Sequence, residues 1–269
     1  MPLRQDPVET SAARAANPGV DLEVLLLDDM WIRRVGSNYF PDPEYLNHDD
    51  RAWPKWLTRS DKFLRDATDY WFHLYKPEPG DTIVDIGAGR GEDVFAFSHA
   101  VGPRGRVWAI EPHPVSYAAL VTLCQLNKLD NVTTVNRACV DTRASLQIES
   151  MPVWESNYVR SGAPTPTSYA VQGLRFDDIA AQHKIDRIDF MKMNIEGAER
   201  AALPGCVGAL QRTRFACIAA HDFRADRGEG DQFRTLPFVR DFLKGTGFSL
   251  VTRDEDPRYY VPYHVHGVR

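Results

Sequence analysis

The sequence predicts an α/β protein built on a doubly wound, mainly parallel sheet, and three observations predict it. Short apolar, β-branched runs alternate with helical patterns along most of the chain, the order that makes a parallel sheet with right-handed crossovers. A turn with three glycines, Gly87, Gly89 and Gly91, follows the first of those runs. Polar and charged residues then recur where each run stops: Asp85, Glu111, Asn136, Arg137, Asn194, Glu196, His221 and Asp222. In a parallel sheet the carboxyl ends of the strands share one edge, so these residues are expected to converge on one site.

With 269 residues and 43% hydrophobic content, the chain suits one large α/β domain with an extension. Three regions are expected: a mobile tail over 1–19, an N-terminal extension and lid over 20–75, and the main domain over 76–269. The tail is rich in Ala, Pro and charge with little periodicity. Asp21 to Val35 reads as a short strand or hairpin. From Gly36 to Leu57 aromatics (Tyr39, Phe40, Tyr45, Trp53, Trp56) stand among polar residues, as an edge cover or as a lid over a pocket. Ser60-Asp61 reads as a helix N-cap, and the apolar spacing from Phe63 to Leu74 as a helix covering the sheet.

Thr82 to Ile86 is the first sheet strand, with a helix starting near Glu92. Arg106 to Glu111 gives the second strand, Pro114 opens the next helix, and Val132 to Asn136 the third strand. Between Asp141 and Gly173 helical periodicity disappears. Ala144 to Glu149 reads as a small strand, and the middle of the connection, with Trp154, Tyr158 and Tyr169, as a second pocket wall or a structural flap, since long connections inside a compact domain are usually functional or mobile. A helix from Phe176 to His183 precedes strand four, Ile188 to Ile195. A further helix, interrupted near Pro204-Gly205, leads to strand five, Phe215 to Ala220. The C-terminal segments complete a seven-stranded sheet with an antiparallel edge.

A net charge of −5 and the lack of a Lys/Arg run argue against nucleic acid as the main partner. There is no apolar leader and no 18-residue apolar run, so a cytoplasmic protein without membrane insertion is expected. Oligomeric state is left open, a homo-oligomer included. Cys124, Cys139, Cys206 and Cys217 lack CxxC spacing and read as buried free thiols.

The glycine turn and Glu111, roughly 20 residues beyond it, point to a nucleoside-containing ligand whose ribose diol the carboxylate grips. The spacing is Gly-x-Gly-x-Gly rather than the dinucleotide Gly-x-Gly-x-x-Gly. Asp85, two residues before the first glycine, would repel a pyrophosphate but suits an ammonium group. S-adenosylmethionine is therefore preferred to NAD, with Asp85, Gly87, Ala88, Gly89, Glu111, Pro112, Arg137, Ala138 and Asn194 as the cofactor-binding set.

Three stretches resemble FkbM-type methyltransferases. They are Pro79 to Gly91 (Pro-Gly-Asp-Thr-Ile-Val-Asp-Ile-Gly-Ala-Gly-Arg-Gly), Ala109-Ile-Glu-Pro112 with Asn127 and Asn131-Val132, and Ile188 to Glu199 (Ile-Asp-Phe-Met-Lys-Met-Asn-Ile-Glu-Gly-Ala-Glu). The resemblance implies a class I methyltransferase fold and methyl transfer from S-adenosylmethionine, usually to a hydroxyl of a glycoside, polyketide or lipid-linked sugar. The family commonly has Asn or Ile where Arg90 stands and Asp where Asn194 stands, and it often ends strand five with Glu. No metal or base role is therefore carried to Asn194, and metal-independent turnover is expected. His221, with an ordinary pKa near 6.5, is the expected general base, the alternative being a histidine bonded within the fold, and Glu196 is the residue that orients the acceptor or the histidine. The acceptor is expected to be a small molecule. Methylation of nitrogen or carboxylate, on a small molecule or peptide, and a nucleotide-binding scaffold without turnover are the alternatives.

Overall fold

The computed structural model describes residues 2–43, 59–160 and 163–269. Tyr45, Trp53 and Trp56 of the expected lid lie outside the described residues, as do the side chains of Ser60 and Asp61.

The N-terminal region is folded from the start, which corrects the expectation of a mobile tail. Strand β1 (Arg4–Gln5) and helix α1 (Pro7–Ala16) precede a meander of β2 (Leu22–Leu27), β3 (Met30–Val35) and β4 (Asn38–Asp42), joined as an antiparallel sheet in the order β1-β2-β3-β4. Asp6 caps α1 by accepting from the N–H groups of Val8 and Glu9, with Pro7 in the first turn, a start signal of the usual kind. Thr10 then bonds Val24 in both directions. A short helix with a good cap and one buried anchor can order a segment whose composition looks disordered.

Helix α2 (Arg59–Asp66) continues into a wide turn of π geometry over Ala67–Trp71. The central sheet follows. It contains β5 (Thr82–Ile86), β6 (Arg106–Ile110) and β7 (Val132–Val135), separated by α3 (Glu92–Val101) and α4 (Pro114–Leu126). The expected long connection instead forms a second sheet from β8 (Ala138–Cys139), β9 (Ala144–Glu149), β10 (Tyr158–Arg160) and β11 (Ser168–Leu174), ordered β10-β9-β11-β8. Helix α5 (Phe176–Gln182) leads to β12 (Ile188–Met193). Helices α6 (Glu199–Ala202) and α7 (Val207–Gln211), broken at Pro204-Gly205 as expected, lead to β13 (Thr213–Ala219). Helices α8 (Asp222–Asp226) and α9 (Leu236–Gly245), then β14 (Ser249–Val251) and β15 (His264–Val268), finish the chain.

The seven central strands run β14-β15-β13-β12-β5-β6-β7. From β13 to β7 every pairing is parallel, and β15 is antiparallel to both its neighbours. This is the doubly wound, mainly parallel sheet that the alternation of elements predicts, in the class I methyltransferase architecture that the family resemblance implies.

The sheet is buried on both faces, which is why its strands carry near-continuous apolar runs. On one face Val84, Ile86, Met191, Met193 and Ile218 pack with Phe176, Leu203 and Leu243. On the other Ile83, Val107, Phe190 and Cys217 pack with Trp71, Phe72, Val94 and Phe97. The N-terminal sheet docks on α4, where Asn127 accepts from the N–H of Tyr39 and donates to its carbonyl. Among the described residues no helix is long and apolar enough to cross a membrane.

Candidate cofactor and acceptor site

A cavity of about 470 Å³ opens at the carboxyl ends of β5, β6 and β12, a size suited to a small-molecule ligand. Gly87, Ala88 and Gly89 line it, with Glu111, Pro112, Arg137, Ala138, Asn194 and Glu196. Nine of the eleven residues singled out from the sequence thus meet on one cavity; Asp85 and His221 do not line it.

The glycine turn shows why side chains are excluded there. Gly87 has φ +83°, and a Cβ on it would lie 2.0 Å from the carbonyl oxygen of Asn194; on Gly89 (φ +57°) it would lie 2.4 Å from the Trp154 ring. The turn's N–H groups face inward: those of Gly87 and Ala88 donate to the carbonyl of Ile110, that of Gly91 to Ala88, and that of Gly89 to Glu111 Oε2 at 2.8 Å. A pyrophosphate needs such donors. With these four engaged and Glu92 and Asp93 opening α3, the turn is built against phosphate, as the glycine spacing indicated.

Glu111 stands at the end of β6. It accepts from the N–H groups of Gly89 and His113, both at 2.8 Å, and Asn136 fixes the same corner by donating to the carbonyls of Glu111 and Pro112. Burial pushes its carboxyl up to about 7, against the pull of the two N–H donors. Each oxygen has accepted one bond and can accept another, so Glu111 can take a ribose diol.

Asp85 is a correction. It is wholly buried, and its Oδ1 lies 2.8 Å from Lys192 Nζ, which also donates to the carbonyl of Gly87 and stands 3.4 Å from Asp93. Burial raises Asp85, and although burial penalises the charge of Lys192, Asp85 and Asp93 raise it too. The ammonium that Asp85 holds is therefore the chain's own. Lys192 lines the cavity and was missed from the sequence. The signal was there: one lysine in the middle of an apolar strand, in register with Asp85, requires a buried partner.

His221 is the second correction. Its ring lies between two carboxylates, with Nε2 at 2.9 Å from Glu196 Oε1 and Nδ1 at 2.9 Å from Glu199 Oε1. Burial works against the charged ring, but Glu196 and Glu199 outweigh it and push His221 up to about 10. At neutral pH it is an imidazolium with both N–H groups in use, and it has no lone pair to accept a proton. Asp222 lies off the cavity as well; it caps α9, accepting from the N–H groups of Thr235 and Leu236 at 2.8 Å.

Glu196, by contrast, lines the cavity. Arg224 Nη1 holds its Oε2 at 2.7 Å while His221 holds Oε1. Burial opposes its charge, yet the two cations keep its pKa below the usual value. Its backbone sits at φ +52°, a left-handed conformation costly for a residue with a Cβ. The clamp from His221 and Arg224 holds it there.

The cavity walls are aromatic. Tyr70 and Trp71 of the π turn stand on one side, and Trp154 and Tyr158, beside β9 and β10, on the other. Tyr169, also expected in the wall, packs on His113 instead. Arg90 lies beneath Trp154 at 4.8 Å and reaches Asp42 at 2.9 Å, and Asp42 is also paired with Arg33 at 2.8 Å. The residue that departs from the expected Asn or Ile thus ties the glycine turn to the N-terminal sheet.

The family model of the methyltransferase FkbM domain matches residues 85–250. The 31-O-demethyl-FK506 methyltransferase FkbM of Streptomyces tacrolimicus is 25% identical over 224 residues, covering 71% of this chain and 80% of that one. Among solved structures, methyltransferase FkbM from Methylobacillus flagellatus KT is similar with a TM-score of 0.50 and 18% identity, over 72% of this chain and 45% of that one. This chain therefore spans less than half the length of that protein. Aeropyrum pernix fibrillarin, with natively bound S-adenosyl-L-methionine, gives a TM-score of 0.49 at 14% identity, over 93% of this chain and 100% of that one.

Proposed function

Because this chain belongs to the FkbM methyltransferase family and uses S-adenosylmethionine, we propose that it methylates a hydroxyl group of a small-molecule acceptor. The observation that carries the proposal is the doubly clamped Glu196 carboxylate on the cavity wall. The relative from Streptomyces tacrolimicus, named for the methylation of 31-O-demethyl-FK506, supports oxygen as the acceptor atom.

The site fits the cofactor. Glu111 supplies carboxylate oxygens for a ribose diol, Gly87 and Gly89 offer backbone on which no Cβ stands, and Ile110, Ala138 and Ile148 give an apolar slot for a base. When bound, S-adenosylmethionine supplies a methyl group on a positively charged sulfur. The chain's residues then position the acceptor, which is the main source of rate in an in-line displacement. Glu196 accepts a hydrogen bond from the acceptor hydroxyl and takes its proton as the oxygen–methyl bond forms. A weak base suffices, because an alcohol oxygen becomes strongly acidic as it is alkylated. His221 and Arg224 are positioning residues that keep the carboxylate ionised and aimed. The aromatic walls favour an acceptor with apolar or sugar-like faces.

The test is release of S-adenosylhomocysteine on incubation with a panel of hydroxylated glycosides and polyketides, with the matching amines and carboxylic acids alongside. O-methylated product is expected, with kcat lowered about 10²-fold in Glu196→Gln and cofactor affinity retained. Methylated amines or acids in place of ethers would overturn the hydroxyl assignment. Cofactor binding without turnover on any acceptor class would leave a scaffold.

A further inference from the structure

The central sheet carries a row of polar side chains on the face covered by α3 and the π turn. Asp85 pairs in register with Lys192, Lys192 with Cys217, and Cys217 with His266. The first two are accounted for by their ion pair. The far end of the row is not. His264, two residues before His266 on β15, points to the same face, and with Cys217 it completes a cluster of three.

All three residues are buried, at 0% exposure for Cys217, 6% for His264 and 1% for His266. One potential ligand atom from each lies within 4.8 Å of the others, and Cys217 Sγ is 4.0 Å from His266 Nε2. A neutral imidazole offers one lone-pair nitrogen to a metal ion. Nδ1 of His264 is buried with no hydrogen-bond partner, an arrangement that costs free energy unless something binds there. The neighbouring charge of Lys192 is already balanced by Asp85 and Asp93. His73, exposed and 5.1 Å from the His266 ring, marks the path from solvent.

We propose that Cys217, His264 and His266 form a binding site for one Zn²⁺ ion. One sulfur and two imidazole nitrogens are the donors that a borderline-soft cation selects, in preference to Mg²⁺ or Ca²⁺. Coordination forms one Zn–S and two Zn–N bonds, and the Cys217 thiol proton leaves to solvent; the imidazoles bind in their neutral form. The ligand atoms must close by about 1 Å to reach zinc bond lengths of roughly 2.0–2.3 Å, a movement that side-chain rotation on two paired strands supplies. The ion cross-links β13 to β15. It also lies behind the cavity wall, because the His264 ring stacks on Trp71 at 4.9 Å and 18°.

The test uses the full chain, stripped of metal by a chelator and titrated with Zn²⁺ against a chromogenic competitor, and separately with Co²⁺ followed by absorption. One equivalent of Zn²⁺ bound with submicromolar affinity is expected, with a thiolate-to-cobalt charge-transfer band. Cys217→Ser should abolish the band and weaken Zn²⁺ binding about 10²-fold, as should His264→Gln for affinity, while Cys124→Ser keeps both. Stoichiometry well below one with no band in the wild-type protein overturns the site, whether or not the variants fold. So does a band and affinity unchanged in folded Cys217→Ser.

Discussion

His221 Nε2 lies 2.9 Å from Glu196 Oε1, and the ring's other nitrogen lies 2.9 Å from Glu199, so the histidine is a buried cation that holds the Glu196 carboxylate. Its pKa is raised from 6.5 to about 10. A raised value means that the stabilisation is complete below about pH 6.5 and is lost as pH rises through about 10. Unfolding measured by denaturant between pH 6 and 10 should show stability falling by on the order of 3–5 kcal/mol more in the wild type than in His221→Gln. Parallel pH profiles for the two proteins would show that the histidine is neutral in the fold.

Glu111 should govern cofactor affinity. Glu111→Ala is expected to weaken S-adenosylmethionine binding by about 1.5–3 kcal/mol, the loss of charge-assisted bonds to a diol. Its pKa near 7 in the free protein adds a pH signature, because the ionised form is the better acceptor. Affinity measured by calorimetry should therefore fall as pH drops below about 7, and Glu111→Gln should remove that slope. Unchanged affinity in a folded Glu111→Ala would place the ribose elsewhere.

Asp85 should matter for stability before ligand binding. Removing its charge leaves Lys192 buried with only the more distant Asp93, and breaking a buried pair from one side costs about 3–5 kcal/mol. Asp85→Asn should lower the thermal midpoint markedly while S-adenosylmethionine still binds the folded fraction. A variant of wild-type stability with lost cofactor affinity would return Asp85 to the role of ammonium ligand.

Arg90 should couple the N-terminal sheet to the site. Asp42 keeps Arg33 when Arg90 is removed, so Arg90→Ile is expected to cost only about 1–3 kcal/mol. Trp154 would also lose the cation beneath it. Its fluorescence and the cofactor affinity should change together; a change in neither would leave Arg90 as a buried structural tie alone.

The sheet and most of the cavity residues were legible in the sequence because both follow from local pattern. β-branched runs set the strands, glycines set the turn, and a parallel sheet brings the carboxyl ends of its strands together whatever else the chain does. Glu111, Glu196 and Asn194 reach the cavity for that reason. What a residue meets there depends on partners distant in sequence. Lys192 captures Asp85 from a strand 107 positions later. Glu199 and Glu196, brought together by a left-handed turn, convert His221 from a candidate base into a cation. The sheet within residues 138–174 was hidden because its two central strands, β9 and β11, are separated along the chain by β10 and a turn-rich stretch, and no local period reports their pairing. The Cys217, His264 and His266 cluster shows only a His-x-His pair in the sequence, since Cys217 joins it only where β13 and β15 run side by side. Hydrophobic period is a property of neighbours along the chain, whereas protonation and ligand sets are properties of neighbours in space, and only the folded structure decides the latter.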